Sequence, residues 1–136
     1  MIRLTTDDVI FLHKQLIEKF GGKDGIRDYS LLDSAVNAPF ATFGGEYLIY
    51  GRRHKAACLA FGLLENNAFL DGNKRIAAHS SVLYLAANGL ELEYEQDEMA
   101  KFFIDVANGK GIEEDIYVWF VNHTKSRVEN RKSNLF

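Results

Sequence analysis

Apolar residues recur along most of the chain at spacings of three and four positions, the period of an amphipathic α-helix. The first such segment follows Thr5, a good N-cap residue, and stops at Gly21-Gly22. A shorter helix is predicted to start at about Ser30 and to end before Pro39. The expected core stripe of the first helix is Val9, Leu12, Leu16 and Phe20.

The middle of the chain predicts a pair of helices joined by a short loop. Arg52–Asn66 is rich in small apolar residues, so we expect it to be the central helix. A loop is predicted over Asn67–Gly72 and a second helix over Lys74–Asn88, with Asn73 as its N-cap. Gly89 then occupies the position that favours glycine after a helix C-terminus.

Residues 39–50 depart from the helical period. They combine aromatic and β-branched side chains with a central Gly-Gly pair, which predicts an exposed, irregular hairpin or flap. The centre of this flap consists of Thr42, Phe43, Gly44, Gly45 and Glu46.

Two further helices are predicted to begin at Asp97-Glu98 and at Glu113. The polar segment 125–136 is expected to be a frayed tail, which leaves 1–124 as a single domain. The predicted fold class is therefore all-α, with about six helices and a small hairpin-like flap.

Composition narrows the possible partners. The chain has 136 residues, 47% of them apolar, which fits one globular domain. Sixteen Lys and Arg against 19 Asp and Glu give a net charge of −3, so we expect neither direct nucleic-acid binding nor an anionic membrane partner. The lone Cys58 excludes a disulfide framework and favours a cytoplasmic location.

The start of the Lys74 helix carries an unusual charge pattern. Lys74 and Arg75 place two cations at the positive end of the helix dipole, whereas three other predicted helices open with acidic residues. A bound anion cradled by Gly72 and Asn73 would resolve this, and Asp71 would then be well placed for Mg²⁺. The alternative is an ordinary turn and cap with both cations in water.

Other catalytic patterns are missing from the sequence. His13, His54, His79 and His123 include no pair at helical metal-ligand spacing, so a zinc enzyme is not expected. No P-loop, dinucleotide-binding or nucleophile-elbow motif occurs either.

The loop and the start of the next helix carry a specific resemblance. Residues 67–75, Asn-Ala-Phe-Leu-Asp-Gly-Asn-Lys-Arg, resemble the motif H-x-F-x-[DE]-[GA]-N-K-R of the Fic/Doc (Fido) superfamily, death-on-curing branch. Eight of the nine positions are compatible. Agreement in order and spacing extends to Leu4-Thr5, Phe20-Gly21-Gly22, Leu31 to Ala35, Ala41 to Gly45 and Leu85 to Leu92.

The resemblance implies an all-helical Fido fold in which the loop and the following helix bind ATP with Mg²⁺. Asp71 matches the metal-handling position, and Gly72 and Asn73 match the anion-binding loop. Lys74 and Arg75 match catalytic phosphate contacts.

Two further parts of the family pattern concern the loop anchor and the protein target. Phe69 corresponds to the buried anchor of the loop. Residues 42–46 correspond to the flap where a target segment docks in extended form.

The residues after the motif asparagine point to one branch. Adenylyl-transferring relatives typically have glycine and a second arginine where this chain has Lys74 and Ala78. The pattern is similar to toxins that phosphorylate a threonine of elongation factor Tu and are neutralised by an antitoxin protein. An adenylyl-transferring enzyme and a non-catalytic binding protein are the alternatives.

One departure concerns the proton acceptor. The family has histidine as general base where this chain has Asn67, and an amide cannot accept a proton near neutral pH. Losing a general base typically lowers a rate by ~10²–10⁴-fold. Asn67 is therefore a substitution made to permit production, a natural pseudoenzyme feature, or a sign that Glu65 or Glu46 has taken over as base.

Overall fold

The computed structural model describes residues 2–126 and is built mainly of α-helices. This confirms the predicted all-α class. A 3₁₀ turn, Ala38–Phe40, follows the second helix, and a π-helical turn, Val106–Lys110, follows the fifth. The helices are α1 (Thr6–Phe20), α2 (Tyr29–Asn37), α3 (Arg52–Asn66), α4 (Asn73–Ala87), α5 (Gln96–Asp105) and α6 (Glu113–His123). The short strands are β1 (Thr42–Phe43), β2 (Glu46–Tyr47), β3 (Leu90–Leu92) and β4 (Thr124–Ser126).

Helices α3 and α4 form the centre of the molecule. Helix α3 packs against α2, α4 and α6, and α4 also packs against α1 and α5. Small side chains make this possible, since Ala56, Ala57 and Ala60 are fully buried. At Gly62 an added Cβ would lie 3.1 Å from the Cβ of Ala35, so glycine allows α2 to approach closely. The central helix is thus the one the sequence predicts.

The helices start close to the predicted positions, but some of them have a different cap residue or first residue. Thr5 caps α1 as predicted, in a reciprocal capping box with Asp8. Helix α2 is capped by Asp28 instead of Ser30, because the Asp28 carboxylate accepts the Leu31 amide at 3.0 Å. Helix α5 starts at Gln96, one residue before the predicted start.

Phe20 is not part of the core, contrary to the predicted stripe. Its side chain lies at the last turn of α1 and is 53% exposed. The Arg75 guanidinium lies 4.6 Å from the centre of its ring, in cation–π geometry. Phe20 therefore supports a charged residue of α4 instead of packing inside.

Two residues of the predicted tail belong to a strand. Strand β4 contains Lys125 and Ser126 and pairs antiparallel with β3, with Leu90 opposite Ser126. Lys125 also forms an ion pair with Glu93 at 2.5 Å. The rest of the predicted tail, 127–136, lies outside the described residues. Over residues 2–126, no helix combines the length and apolar character needed to cross a bilayer.

Candidate active site

The loop between α3 and α4, Asn67–Gly72, turns through two left-handed residues. Asn67 has φ 47° and ψ 47°, and it is the one residue other than glycine with positive φ in the described range 2–126. Asparagine is among the few side chains that tolerate this conformation. Gly72 closes the loop with φ 76° and ψ 18°, directly before α4.

Asn73 does not cap α4, contrary to the sequence-based prediction. Gly72 takes the N-cap position, so Asn73 is the first helical residue and its side chain reaches back into the loop. Its Nδ2 donates to the Asn67 Oδ1 at 2.8 Å and to the Phe69 carbonyl at 3.0 Å. Its Oδ1 accepts the Phe69 amide at 3.0 Å. No side chain caps α4, which leaves the amides of its first turn for another acceptor.

The underside of the loop rests on α1. Phe69 is 2% exposed, as its predicted anchor role requires, and its ring stacks on that of His13 at 3.7 Å. His13 is itself buried, and its Nε2 N–H donates to the Asp71 carbonyl at 2.7 Å. His13 is not among the site residues predicted from the sequence. A polar residue four positions after the fully buried Val9 is the signal that could have found it.

A neighbouring backbone segment holds the loop from a second side. Residues 25–28 pair with residues 68–70 through backbone hydrogen bonds. The Arg27 guanidinium donates to the carbonyls of Asn66 at 2.9 Å and Asn67 at 2.8 Å. A cation is favourable there because these carbonyls form the negative end of the α3 dipole.

Asp71 presents an exposed carboxylate that the backbone holds in place. Its Oδ2 accepts the Lys23 amide at 3.2 Å, and its Oδ1 accepts the Gly72 amide at 2.8 Å. These bonds lower the pKa of Asp71 below its ordinary value of 3.8, and the nearby Arg75 lowers this pKa further. Asp71 is therefore ionised at neutral pH. At Gly22, an added Cβ would lie 2.7 Å from the Asp71 Oδ2.

A cavity of about 300 Å³, here called the loop cavity, brings together several of the predicted site residues. Asn67 and Asn73 line it next to Lys74, so three of the predicted residues share one space. Asp71 and Arg75 do not contribute to its lining. The complete lining is Leu64, Glu65, Asn67, Asn73, Lys74 and Ala107.

Arg75 faces a larger groove between α1, α4 and α5, with a volume of about 850 Å³. Lys74 borders both this groove and the loop cavity, whereas Arg75 borders the groove alone. The two cations at the start of α4 thus share the groove, and Lys74 also connects it with the loop cavity.

The predicted flap is an exposed two-stranded hairpin. Thr42 pairs with Tyr47 and Phe43 pairs with Glu46 across Gly44-Gly45, whose φ values of 63° and 83° suit a two-residue turn. Phe43 is 81% exposed. None of residues 42–46 lines the loop cavity. The flap precedes α3 and the motif loop follows it, so the two connect to opposite ends of the central helix.

Comparisons with known proteins agree with this arrangement. The sequence profile of the Fic/DOC family matches residues 3–85. The "Toxin Doc" of Mycolicibacterium smegmatis is 42% identical over 78 residues, which are 57% of this chain and 60% of that protein. The "Protein kinase doc" of Escherichia phage P1 is 26% identical over 110 residues, which are 81% of this chain and 86% of that protein. Because the family match covers most of the chain and includes the whole loop from Asn67 to Gly72, the chain belongs to the Fic/DOC family.

Proposed function

We propose that this chain is a death-on-curing-type toxin that transfers the γ-phosphoryl group of ATP to a protein hydroxyl. The names of the two relatives, a toxin and a protein kinase, support this proposal. The observation that carries it is the uncapped start of α4 next to the Lys74 side chain in the loop cavity. A threonine of elongation factor Tu is the target to test first.

The start of α4 has the donors that a polyphosphate needs. A helix N-terminus carries about half a positive charge, and its first amides point outward. Gly72 brings the backbone close without a side chain, and Lys74 adds a full charge beside it. Arg75 would contact the same nucleotide from the groove side.

The residues present also fit Mg²⁺ held jointly with a nucleotide. Within residues 2–126 no group of three or more His, Cys, Asp or Glu side chains could hold a metal by itself. Mg²⁺ in nucleotide enzymes is commonly held by one or two carboxylates together with phosphate oxygens. Asp71 offers one exposed, ionised carboxylate with lone pairs beyond those used by Lys23 and Gly72. When bound, the metal would offset charge on the phosphates.

The attacking hydroxyl loses its proton during the reaction, so a group that accepts this proton is needed. The target hydroxyl oxygen bonds to the γ-phosphorus, the bond from that phosphorus to the bridging oxygen of ADP breaks, and the hydroxyl proton goes to a base. Lys74 stabilises the charge on the transferred group. The Asn67 amide is no base, so another group must accept the proton in this chain, and we expect the Asn67→His variant to be the faster of the two.

We also propose where the protein target docks, what neutralises the chain and where the chain acts. An extended segment of the target would dock along the flap hairpin, which is exposed along its whole length. A separate antitoxin protein would neutralise the chain. Both events would take place in the bacterial cytoplasm, where elongation factor Tu acts.

The position of an isotope label in ATP distinguishes phosphoryl transfer from adenylyl transfer. Elongation factor Tu is incubated with Mg²⁺ and ATP labelled at either the α- or the γ-phosphate, together with the chain or with its Asn67→His variant. We expect label from the γ-phosphate alone. Label from the α-phosphate would identify an adenylyl transferase, and no label with either protein would favour a non-catalytic binding protein.

A matched pair of lysine variants tests the phosphate site. Lys74→Met in the Asn67→His background should lower the rate of phosphoryl transfer by ~10²-fold or more, because it removes the cation that stabilises negative charge on the transferred group. Lys101→Met is the control, since Lys101 is an exposed lysine of α5 that lines neither cavity. Equal rates for the two variants would contradict the proposed role of Lys74.

A further inference from the structure

The reaction proposed above leaves a proton without an acceptor, and the loop cavity contains one side chain that can take it. Two lining residues, Leu64 and Ala107, are apolar, and two others, Asn67 and Asn73, end in neutral amides. Lys74 supplies a cation. The carboxylate of Glu65 is therefore the one basic group in the lining of this cavity.

Asn67 is occupied by structural contacts. Its side-chain oxygen accepts a hydrogen bond from the Asn73 Nδ2 at 2.8 Å, and its carbonyl accepts one from Arg27 at 2.8 Å. Its backbone is in the left-handed conformation that ends α3. Asn67 thus closes the loop, and its neutral amide is not basic enough to take the hydroxyl proton.

Glu65, in contrast, has an uncommitted carboxylate on a fixed support. It lies in the last turn of α3 and is exposed, and its carboxylate makes no hydrogen bond or ion pair with any residue in the range 2–126. The helix end that bears it is fixed, because Arg27 caps it and the Asn66 side chain donates to the Leu31 carbonyl at 2.8 Å.

The other glutamate considered from the sequence is placed differently. Glu46 lies in β2 of the flap, and its Oε2 accepts the Tyr50 hydroxyl at 3.3 Å. It does not line the loop cavity. The two glutamates therefore differ in both position and availability, and both differences favour Glu65.

We propose that Glu65 is the general base of the phosphoryl transfer in this chain, an inference that rests on the proposed function. As the target hydroxyl oxygen bonds to the γ-phosphorus and the bond to ADP breaks, the hydroxyl proton passes to the Glu65 carboxylate. Carboxylates serve this role in protein kinases, where an aspartate accepts the substrate hydroxyl proton. Glu65 thereby takes over in this chain the proton transfer that Asn67 cannot perform.

Four proteins test the assignment: the chain itself, Glu65→Gln, Asn67→His, and Asn67→His/Glu65→Gln. The assay follows the initial rate of γ-phosphoryl transfer to elongation factor Tu. We expect Glu65→Gln to lower kcat of the chain by at least ~10²-fold. In the Asn67→His background the same substitution should change kcat by less than about threefold, because a histidine then serves as base.

A further readout separates a base from a group that acts only through its charge. A purely electrostatic Glu65 would repel the nucleotide, so Glu65→Gln would lower the KM for ATP and leave kcat unchanged.

The controls keep the two proposals distinguishable. Glu18→Gln changes an exposed glutamate of α1 that lines neither cavity and should leave every rate unchanged. Glu65→Asp should retain part of the activity, since it keeps a carboxylate.

If the chain is inactive but Asn67→His transfers phosphoryl groups, or if Glu65→Gln is fully active, the assignment of Glu65 is wrong and the proposed function stands. If neither the chain nor Asn67→His transfers label, both proposals fall.

Discussion

At the scale of single residues, the position of Asp71 depends on a glycine in a different part of the chain. Gly22 has φ 112°, and a Cβ there would lie 2.7 Å from the Asp71 Oδ2 and 3.1 Å from the Ile17 Cδ1. Gly21, its neighbour, also has a positive φ of 85°, but nothing lies within 4 Å of the corresponding Cβ position. Both glycines therefore have a positive φ that L side chains rarely adopt, but only at Gly22 would an added Cβ also meet neighbouring side chains.

This difference yields a matched prediction. Gly21→Ala should lower the free energy of unfolding by roughly 1–3 kcal/mol, because φ 85° with ψ 179° is a backbone conformation that glycine almost alone adopts. Gly22→Ala should lower it by at least about 1 kcal/mol more, because its Cβ also displaces Asp71. Urea denaturation of both variants checks this. Equal losses would show that Gly22 does not position the carboxylate.

The titration of Asp71 gives a prediction with a definite sign. Hydrogen bonds from the Lys23 and Gly72 amides hold its pKa below the ordinary 3.8. A carboxylate with a depressed pKa contributes stability above its ordinary pKa, and this contribution disappears as the pH falls through the folded value. The stability advantage of the chain over Asp71→Asn should therefore be constant above about pH 5 and shrink below about pH 4.

NMR titration of the Asp71 carboxyl carbon measures the same effect directly. Its midpoint should lie below 3.8 in the folded chain and move upward in Gly22→Ala. A midpoint at or above 3.8 would contradict the hydrogen bonds described for this carboxylate.

Sequence reasoning reached some of these residues and missed others for a physical reason. Asp71 and Lys74 could be chosen because local charge at a helix start is visible in the sequence. The capping role predicted for Asn73 was wrong: Asn at a helix start usually caps, and only the fold shows Gly72 in the cap position. His13 shares a face of α1 with Val9, which indicates that it is buried, but its contact with the loop spans 58 positions and no local pattern shows that contact.

At the scale of elements, the flap is anchored to α3 by a buried lysine. Lys55 is 1% exposed, and its Nζ donates to the Ile49 carbonyl and lies 4.2 Å from the centre of the Tyr47 ring. Burial lowers the pKa of Lys55. The hairpin itself has few other buried contacts, since residues 41–48 are all exposed.

We predict that Lys55→Met loosens the flap and leaves the helices folded. The methionine keeps the apolar stem but loses the hydrogen bond, and bonds to charged groups contribute about 1.5–3 kcal/mol. Hydrogen exchange of the Leu48 amide, which donates to the Ala41 carbonyl at 3.0 Å, should accelerate by roughly tenfold or more.

The control for the flap is Lys14→Met, which changes an exposed lysine of α1. It should leave exchange of the Leu48 amide unchanged. If Lys55→Met also leaves that exchange unchanged, the flap is held by other contacts. If the flap docks the protein target as proposed, Lys55→Met should raise the KM for the target more than the KM for ATP.

Elements with a local signal were predicted well, and elements that depend on distant partners were not. All six helices follow from apolar spacing, although two of the predicted caps are wrong, and the flap follows from its central Gly44-Gly45. Strands β3 and β4 were missed because each has only three residues and its partner lies more than 30 positions away. Pairing of that kind is fixed by tertiary packing and has little sequence signature.

At the scale of the whole molecule, the fold assembles the motif loop from several directions. His13 of α1 holds it from below, residues 25–28 pair along it, and Asn73 of α4 ties it to Asn67. The loop is therefore held in place by contacts with these surrounding elements. Preorganisation of this kind is what an anion site needs, because the donors then require no rearrangement on binding.

The most direct test of the proposed function is the intact mass of elongation factor Tu after incubation with ATP, Mg²⁺ and either the chain or its Asn67→His variant. We expect a single phosphoryl increment, formed slowly by the chain and faster by the variant. An adenylyl increment, or an unmodified factor with both proteins, would contradict the proposed function.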